Sequence, residues 1–374
     1  MRVLHFFKTY LPETVGGIEQ VIYQICESGR AHGIESQVLT LSREPEPADL
    51  TVGSHRVRRV RLDLQVASTG ISWRVLSQLK RLAAEADVVN YHFPWPFMDV
   101  LHFAARIDKP AVVTYHSDIV RQRHLLKLYR PLMHRFLSSV ERIVTASPNY
   151  LATSEVLGRY RDKTVVIPYG LDRSSYPPAD PARLEYWRRR FGDRFFLFVG
   201  VMRYYKGLHI LLEAARGTDY PIVIVGSGPL EGKLKSQARN LGLSNVHFAG
   251  RLEDADKAAL LELCSAMVFP SHLRSEAFGI SLLEGAMYGK PLISAEIGTG
   301  TSYINVHGET GLVVPPADPV SLREAMRALW NDPRMAAEMG RQAEQRYRRV
   351  FTAERMGQQL ADLYRDVLAG RRRG

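Results

Sequence analysis

Short apolar segments alternate with amphipathic segments along most of the chain, and this alternation limits the possible folds more than any other feature. Helical patterns separate several of the apolar segments, and one such pattern begins near Ile18. Because strands that alternate with helices form a parallel sheet covered on both faces, the sequence predicts an α/β fold. The first series of strand-like segments comprises residues 2–7, 38–41, 88–90, 112–116 and 142–147.

A second series of strand-like segments begins after a change in composition. Residues 172–192 carry three prolines and many charges, which indicates a linker and a short basic helix. Since 374 residues are too many for one ordinary core, we predict two α/β domains, 1–172 and 193–351. The C-terminal helix, within 352–374, is expected to complete the first domain. The second series comprises residues 195–200, 221–226, 246–250, 266–271, 290–295 and 311–316.

Composition and charge restrict the class of protein and its partners. Apolar residues make up 45% of the chain and charged residues 24%, which is typical of a soluble globular protein. Cys26 and Cys264 lie in apolar segments without zinc-site spacing, so we expect reduced thiols and a cytoplasmic location. We expect neither a signal peptide nor a membrane span, because the apolar runs are too short. The net charge of +11 favours nucleotide phosphates, nucleic acid or an acidic bilayer as partners.

The strongest chemical signal is the segment SEAFGISLLEGAMYGKPLIS at 275–294. It places Glu276 and Glu284 eight residues apart, with a helix expected to begin near Gly279 between them. The free N–H groups at the start of a helix attract an anion. Two carboxylates that flank this anion site match a nucleotide sugar, which has hydroxyls at both ends and a diphosphate between them. Taken alone, the pair also fits two solvated glutamates on an amphipathic helix.

Two cations follow a predicted strand that ends at Gly200. Arg203 and Lys206 lie beyond the glycine, and Gly207 opens the next helix, so the segment can neutralise a diphosphate. Either cation by itself also fits a solvated surface charge. The run GSGP at 226–229 follows another strand, but its sixth position is Glu231, so it fails as a dinucleotide fingerprint. It is either a tight turn or part of a ligand site.

These elements, together with GRLEDADKAALLELCSAMVFPS at 250–271, resemble the group 1 (family 4) retaining glycosyltransferases in order and spacing. The resemblance covers about residues 195–320, and a looser one extends to Gly16-Gly17 and to TYHSD at 114–118. It implies the GT-B fold, in which two Rossmann-like parallel-sheet domains face each other across a cleft. The N-terminal domain then binds the acceptor, and the C-terminal domain binds a nucleotide-sugar donor.

The resemblance also implies roles for particular residues. Glu276 holds hydroxyls of the donor sugar, Glu284 binds the ribose, and Arg203 and Lys206 stabilise the departing diphosphate. His116 lies close to the reacting sugar. The catalytic set is thus His116, Arg203, Lys206 and Glu276. The donor-binding set is Gly16, Gly17, Arg203, Lys206, Gly226, Arg251, Leu252, Glu276, Phe278, Gly279, Ile280 and Glu284.

Some of these assignments have alternatives. The family often places its arginine directly after the strand-ending glycine, where this chain has Val201, so Arg203 is expected to substitute. Gly16-Gly17 also fits a relaxed turn, and His116 also fits a structural histidine of the core. Asp254 and Asp256 form a D-x-D pattern, but they precede a helical run in which aspartate is expected as the N-cap. We therefore predict no metal and no cofactor besides the nucleotide-sugar co-substrate.

Residues 120–140 suggest where the acceptor lies. They are basic and amphipathic, without Asp or Glu, and Pro131 is expected to divide them into two helices. Such a stretch suits an anionic bilayer or a lipid diphosphate, although it also fits a core-packing helix with a solvated face. The aromatic segment at 90–99 suits a sugar or a lipid, or a packed loop. The basic residues are Arg121, Arg123, Lys127, Arg130 and Arg135, with His124 and His134, and a basic tail occupies Arg371–Arg373.

We therefore expect an enzyme that transfers a hexose to a polyprenyl-diphosphate-linked saccharide in surface-polysaccharide or O-antigen synthesis. The favoured hexose is an α-mannosyl residue, with GDP-mannose as its donor. The expected location is cytoplasmic, at the inner face of the cytoplasmic membrane. The segment 296–316 favours a GDP-hexose, and UDP-sugars remain an alternative. A nucleotide-sugar epimerase and a non-catalytic nucleotide-sugar-binding protein are the other readings. A nicotinamide dehydrogenase is excluded, because the chain lacks the glycine fingerprint that such an enzyme needs. Nucleic acid is not an expected partner.

Overall fold

In the computed structural model the chain forms two α/β units. Unit 1 consists of Met1–Gly170 together with the segment that begins at Thr352, and unit 2 consists of Leu171–Phe351. The structure describes residues 1–66, 69–119, 123–178 and 180–371, with side chains of 123–125 left out. The predicted contributions of Arg121, of the side chains of Arg123 and His124, and of Arg372 and Arg373 therefore lie outside the described residues.

Unit 1 is built on a sheet of eight strands in the order β10-β9-β8-β7-β1-β2-β4-β3, with a separate β5–β6 hairpin. All neighbours are parallel except β3 and β4. The strands are β1 Arg2–Phe6, β2 Glu35–Ser42, β3 Asp49–Val52, β4 His55–Arg61, β5 Leu64–Val66, β6 Thr69–Ile71, β7 Val88–Phe93, β8 Ala111–Tyr115, β9 Arg142–Thr145 and β10 Thr164–Val166. The helices are α1 Gly17–Arg30, α2 Val75–Glu85, α3 Pro96–Ala105, α4 Arg123–Ser139, α5 Pro148–Thr153 and α6 Glu155–Gly158.

Unit 2 is built on a parallel sheet of six strands in the order β13-β12-β11-β14-β15-β16. Its strands are β11 Phe196–Val199, β12 Ile222–Val225, β13 Val246–Gly250, β14 Ala266–Phe269, β15 Leu292–Ala295 and β16 Gly311–Val314. Its helices are α7 Pro181–Phe191, α8 Leu208–Ala214, α9 Glu231–Asn240, α10 Asp254–Leu263, α11 Ile280–Met287, α12 Thr301–Ile304, α13 Pro319–Asn331 and α14 Pro333–Val350. The last helix of the chain, α15 Ala353–Arg371, packs on α1 and so belongs to unit 1.

The strand order places a topological switch point in each sheet. In unit 1, β1 has β2 on one side and β7 on the other, and in unit 2, β11 has β12 on one side and β14 on the other. In open α/β sheets the ligand crevice lies beyond the carboxyl ends of strands at such a point. The loops that follow β1 and β7 in unit 1, and β11 and β14 in unit 2, therefore lie where a ligand crevice is expected.

One helix differs from the prediction. Pro131 does not divide residues 120–140 into two helices, because α4 continues through it from Arg123 to Ser139. An internal proline costs about 3 kcal/mol or more. Packing on both sides offsets this cost, since Tyr129 donates a hydrogen bond to Asp99 of α3 and Phe136 is fully buried. In the described part of the chain, no helix has both the length and the apolar character needed to cross a membrane.

Candidate functional site

Glycines bring three strand ends of unit 2 together. Gly226, after β12, has a φ of +126°, and a Cβ atom there would lie 2.1 Å from the carbonyl oxygen of Gly200. The amide of Gly226 donates a hydrogen bond of 2.8 Å to the carbonyl of Gly250, at the end of β13. Any side chain at position 226 would separate these loops, so the glycine sets how closely they approach.

A buried ion pair occupies the switch point of unit 2. Lys206 follows β11 and donates a hydrogen bond to Glu276, which lies between β14 and α11. Only 11% of the Lys206 side chain and 10% of the Glu276 side chain are exposed. Ser271 also donates to Glu276, at 3.2 Å. Gly207 allows this arrangement, because a Cβ atom there would lie 1.9 Å from the carbonyl oxygen of Pro270.

Lys206 remains charged in this buried position. Burial lowers its pKa, but the charge of Glu276, the neighbouring Tyr205 and the hydrogen bond to Glu276 together raise the pKa above its ordinary value of 10.5. Arg203 acts in the opposite direction on this pKa and is itself exposed. The carboxyl edge of the sheet therefore carries a fixed cation next to a second, solvated one, as a bound diphosphate requires.

The start of α11 adds a second anion-binding feature to the same edge. Gly279 is the N-cap of α11, with a φ of +103°, and Ile280 is the first helical residue. The first N–H groups of a helix lack partners within it and carry partial positive charge. Phe278 is buried beneath this turn, against Gly300, where a Cβ atom would lie 2.5 Å from the Phe278 ring. Packing thus holds the backbone of 278–280 in one position.

Glu284 lies inside α11 and is 5% exposed. Tyr176 donates a hydrogen bond of 2.8 Å to its Oε1 atom, and Lys257 donates one of 3.0 Å to the same atom. Burial lowers the pKa of Lys257, but Glu284 and Asp254 raise it above its ordinary value. Burial and the charge of Glu284 likewise hold the pKa of Tyr176 well above its ordinary value, so both partners remain donors. These two donors fix the orientation of the Glu284 carboxylate.

Three other predicted residues, Arg203, Arg251 and Leu252, lie in the loops after β11 and β13. Arg251 is exposed and Leu252 is half-buried, directly after β13. Among the ion pairs between described residues, none joins Arg203 or Arg251 to Glu276 or Glu284. The structure thus brings Lys206 and Glu276 together at the start of α11, while Arg203, Arg251 and Leu252 are in the adjoining loops.

The D-x-D pattern has a different structural role from the predicted one. The expectation that aspartate caps α10 is wrong, because the N-cap is Glu253 and Asp254 already lies in the first turn. There Asp254 pairs with Lys257 at 3.2 Å, while Asp256 accepts from Trp187 at 3.0 Å and pairs with Arg183 at 2.8 Å. Both carboxylates lie in the first turn of α10, where they interact favourably with the positive end of the helix dipole. The described residues contain no group of His, Cys, Asp or Glu arranged to hold a metal ion.

In unit 1, Gly16 and Gly17 start α1 at the carboxyl end of β1. Gly16 is the N-cap, and a Cβ atom there would lie 2.6 Å from Oε2 of Glu19. Glu19 accepts a hydrogen bond of 2.7 Å from Thr9, which ties the loop to the helix. A side chain at position 16 would therefore require the Glu19 carboxylate to move.

His116 follows β8 and is buried with both ring nitrogens engaged. Its Nε2 atom lies 2.9 Å from Nδ1 of His92, and its Nδ1 atom lies 2.8 Å from the hydroxyl of Tyr169. Burial lowers the pKa of His116 to about 3, so the ring is neutral near neutral pH. These contacts place His116 in a network that involves residues absent from the sequence-based prediction.

Sequence reasoning missed the partners that orient the predicted residues. Ser271 and Lys257 stood inside the quoted motif, but the motif gave no sign that Lys257 pairs with a glutamate 27 residues further along. Tyr176 lies in the segment predicted as a linker. For His92 a signal existed, since polar residues at alternate positions of neighbouring buried strands fall on one face of the sheet.

Comparison with known proteins identifies the family of the chain and its fold. Residues 15–175 match the model of Glycosyltransferase Family 4, and residues 186–346 match that of Glycosyl transferases group 1. The chain is 70% identical to the D-rhamnosyltransferase WbpZ of Pseudomonas aeruginosa, over 94% of this chain and 93% of the relative. The chain therefore belongs to the group 1 (family 4) glycosyltransferases.

Two further proteins are informative. The O-antigen chain mannosyltransferase C of Escherichia coli is 51% identical, over 98% of this chain and 99% of the relative. The solved structure of a sucrose-phosphate synthase from Thermosynechococcus elongatus aligns with a TM-score of 0.80 at 20% identity, over 99% of both chains. This structural likeness confirms the predicted GT-B fold.

Proposed function

We propose that the enzyme transfers a D-mannosyl residue from GDP-mannose to a lipid-linked saccharide during cell-surface polysaccharide synthesis, with retention of the anomeric configuration. The observation that carries the proposal is the Lys206–Glu276 pair beside the start of α11. A relative at 51% identity is an O-antigen chain mannosyltransferase, which supports the sugar and the pathway.

The site suggests how the donor is held. The diphosphate contacts Lys206, Arg203 and the first N–H groups of α11. On donor binding, Lys206 breaks its ion pair with Glu276 and pairs with a phosphate oxygen instead. Glu276 is then available to accept hydrogen bonds from the hydroxyls of the donor sugar. Glu284, fixed by Tyr176 and Lys257, accepts from the ribose hydroxyls. Gly226, Arg251 and Leu252 line the base, and Phe278, Gly279 and Ile280 contact sugar and phosphate through their backbone.

In unit 1 we assign roles to the backbone of two glycines and to the imidazole ring of one histidine. Gly16 and Gly17 approach the diphosphate at the start of α1, and His116 lies by the reacting sugar. The acceptor oxygen attacks the anomeric carbon on the face from which the diphosphate leaves. The departing phosphate oxygen receives the acceptor proton, while Lys206 and Arg203 balance the negative charge that develops. No metal takes part in this proposed step.

A second donor is favoured by the relative at 70% identity, a D-rhamnosyltransferase. D-Rhamnose is 6-deoxy-D-mannose, so GDP-D-rhamnose and GDP-mannose differ only in the hydroxyl at C6. The contacts proposed for ribose and diphosphate apply equally to both donors.

The test compares donors directly. Calorimetric titration with GDP and UDP, followed by initial rates with GDP-mannose, GDP-D-rhamnose and UDP-glucose on a polyprenyl-diphosphate-linked saccharide, identifies base and sugar. We expect GDP to bind more tightly than UDP and NMR of the product to show an α-linkage. A preference for UDP, consumption of donor without acceptor, or a covalent glycosyl-enzyme would each contradict the corresponding part of the proposal.

We also propose that unit 1 docks on the inner face of the cytoplasmic membrane. Its β5–β6 hairpin, α3 and α4 adjoin one another, since Trp95 donates to Gly70 and Tyr129 donates to Asp99. Helix α4 also exposes three basic residues, Lys127, Arg130 and Arg135. Basic and apolar side chains exposed on adjoining elements suit an anionic bilayer. The apolar side chains exposed on these elements and their connections are Leu64, Val66, Trp73, Val100 and Leu128, with Leu128 82% exposed.

Vesicle sedimentation tests this surface. We expect binding to vesicles that contain anionic phospholipid at low salt, and weaker binding for Leu128→Glu and Trp73→Glu. Val320 is an exposed apolar residue of unit 2, 55% exposed, so Val320→Glu is the matched control. Equal binding by all three variants, or none by the wild type, would contradict membrane docking.

A further inference from the structure

Three histidines form a hydrogen-bonded row across the centre of the unit 1 sheet. His5 is on β1, His92 is on β7, and His116 directly follows β8. His5 Nδ1 lies 3.2 Å from His92 Nε2, and His92 Nδ1 lies 2.9 Å from His116 Nε2. None of the three is more than 6% exposed. The row ends at Tyr169, whose hydroxyl lies 2.8 Å from His116 Nδ1.

The row is unusual for its position. Central strands of a parallel sheet are covered on both faces and are normally apolar. Here a polar strip crosses three of them, since Thr114 donates to Asn90 at 3.0 Å and Asn90 donates to Tyr364 at 2.9 Å beside His5. His5 Nε2 is buried without a hydrogen-bond partner in the described part of the chain. Apolar side chains would fill this space without the cost of an unpaired buried nitrogen.

The three rings are coupled through their protons. Burial lowers the pKa of His5 and of His116 to about 3 and the pKa of His92 well below its ordinary value, so all three are neutral near pH 7. A neutral imidazole has one N–H donor and one acceptor nitrogen. In a row of such rings, each bond needs one donor and one acceptor, so the proton position on one ring determines it on the others.

Asn90 indicates which arrangement holds. Its amide nitrogen lies 3.4 Å from His5 Nδ1, and an amide N–H facing that atom favours it as the acceptor. His92 then donates from Nε2 to His5 and accepts at Nδ1 from Nε2–H of His116. The lone pair of His116 is left on Nδ1, where it accepts from the Tyr169 hydroxyl.

We propose that His5 and His92 are positioning residues for glycosyl transfer, because their row holds His116 with its acceptor nitrogen, Nδ1, at the Tyr169 end. A substrate hydroxyl reaches this nitrogen by replacing Tyr169, whereas Nε2 stays engaged in the sheet. This inference rests on the role proposed above for His116. Neither His5 nor His92 contacts substrate in this scheme, and both act through the ring of His116.

The test uses His5→Phe and His92→Phe, which keep a ring but remove its nitrogens. We expect kcat to fall about tenfold or more in each, with an unchanged KM for the donor. In the His116→Asn background the same substitutions should cause no further loss of kcat, because all three residues act as one unit. The matched control is His102→Phe, which removes a buried histidine bonded to Tyr91 and Ser139 outside the row.

Two further measurements keep the test decisive. His5→Asn retains an acceptor near the Nδ1 position and should restore most of the kcat lost in His5→Phe. In ¹⁵N spectra of the full-length protein, the His116 ring should carry its proton on Nε2 in the wild type and change in His5→Phe. Unchanged His116 signals, or a loss of kcat that is additive with His116→Asn, would overturn the inference. An inactive wild type with the expected spectra would count against the proposed function but not against the row.

Discussion

At the scale of single residues, the two glutamates should have separable functions. Glu276→Gln keeps an oxygen for Lys206 but removes the charge proposed to hold the donor sugar. We expect kcat to fall about a hundredfold while the dissociation constant of GDP stays within about twofold. Glu284→Gln should instead raise the dissociation constant of GDP about tenfold, since one charged hydrogen bond to ribose is lost.

Calorimetry with GDP and initial rates at saturating donor measure these two effects independently. If Glu276→Gln weakened GDP binding as much as Glu284→Gln does, the division between sugar and ribose would be wrong.

Lys257 gives a second prediction at this scale. In Lys257→Met, Glu284 keeps Tyr176 as a donor but loses its buried cation. Removing one partner of a buried ion pair costs about 3 kcal/mol of unfolding free energy. GDP affinity should fall about tenfold as well, because Lys257 no longer holds the Glu284 carboxylate in one orientation. Urea unfolding and GDP titration measure the two quantities.

Lys235 supplies the control for that substitution. It forms a surface pair with Glu231 one helical turn away, and 43% of its side chain is exposed. Lys235→Met should leave GDP affinity unchanged and stability within about 1 kcal/mol. Similar losses of GDP affinity in both variants would show that Lys257 has no special connection to the nucleotide.

At the scale of elements, the start of α11 depends on a backbone conformation that favours glycine. Gly279→Ala forces a φ of +103° on a residue with a Cβ atom, which costs about 1–3 kcal/mol. It also brings that atom to 3.3 Å from Phe269, so the turn should shift and GDP binding should weaken several-fold. Thermal unfolding and GDP titration check both effects.

Gly242 separates backbone strain from site geometry. It also has a positive φ, +66°, but a Cβ atom there would meet no atom within 4 Å. Gly242→Ala should therefore destabilise the protein by about 1 kcal/mol without changing GDP affinity. A loss of GDP affinity in Gly242→Ala equal to that in Gly279→Ala would mean that the start of α11 is not an anion site.

The elements differ in how well the sequence predicted them. The apolar strands of unit 2 were predicted because their hydrophobic runs stand between glycine turns. In unit 1, β4 was missed, since its sequence HRVRRVR places two half-buried arginines between its buried valines and an exposed arginine on either side of them, near the edge of the sheet. The helix α4 was predicted as two because the contacts that offset Pro131 come from α3 and the sheet, which are distant in sequence.

The candidate site residues show the same difference between local patterns and contacts distant in sequence. Lys206 and Glu276 were predicted from local motifs, and the structure pairs them across 70 residues of sequence. The row of His5, His92 and His116 was not predicted, because its three members lie on or directly after three different strands and only the sheet order makes them neighbours. Local signals indicate which residues carry chemistry, whereas long-range pairing determines their protonation and orientation.

At the scale of the whole molecule, the two units should respond differently to acid. Five buried histidines of unit 1 have pKa values lowered by burial from 6.5, to about 3 for His5 and His116 and about 4 for His102. They are His5, His55, His92, His102 and His116. Each stays neutral when folded but binds a proton when unfolded below pH 6.5, so stability falls as the pH decreases toward the folded pKa. The three histidines of unit 2 with lowered pKa are only half-buried.

The loss should approach about 1.4 kcal/mol per buried histidine for each pH unit below 6.5. Scanning calorimetry at about pH 7 and about pH 5 should therefore show unit 1 melting earlier at the lower pH, as a transition separate from that of unit 2. Because most of the proposed GDP contacts lie in unit 2 and only Gly16 and Gly17 contribute from unit 1, adding GDP should raise the later transition more than the earlier one. In His102→Phe the acid shift of the earlier transition should be smaller, since one proton-binding site of the unfolded chain is gone. Two transitions with equal acid shifts would mean that the buried histidines do not control acid stability. A larger shift by GDP of the earlier transition than of the later one would place nucleotide binding mainly in unit 1.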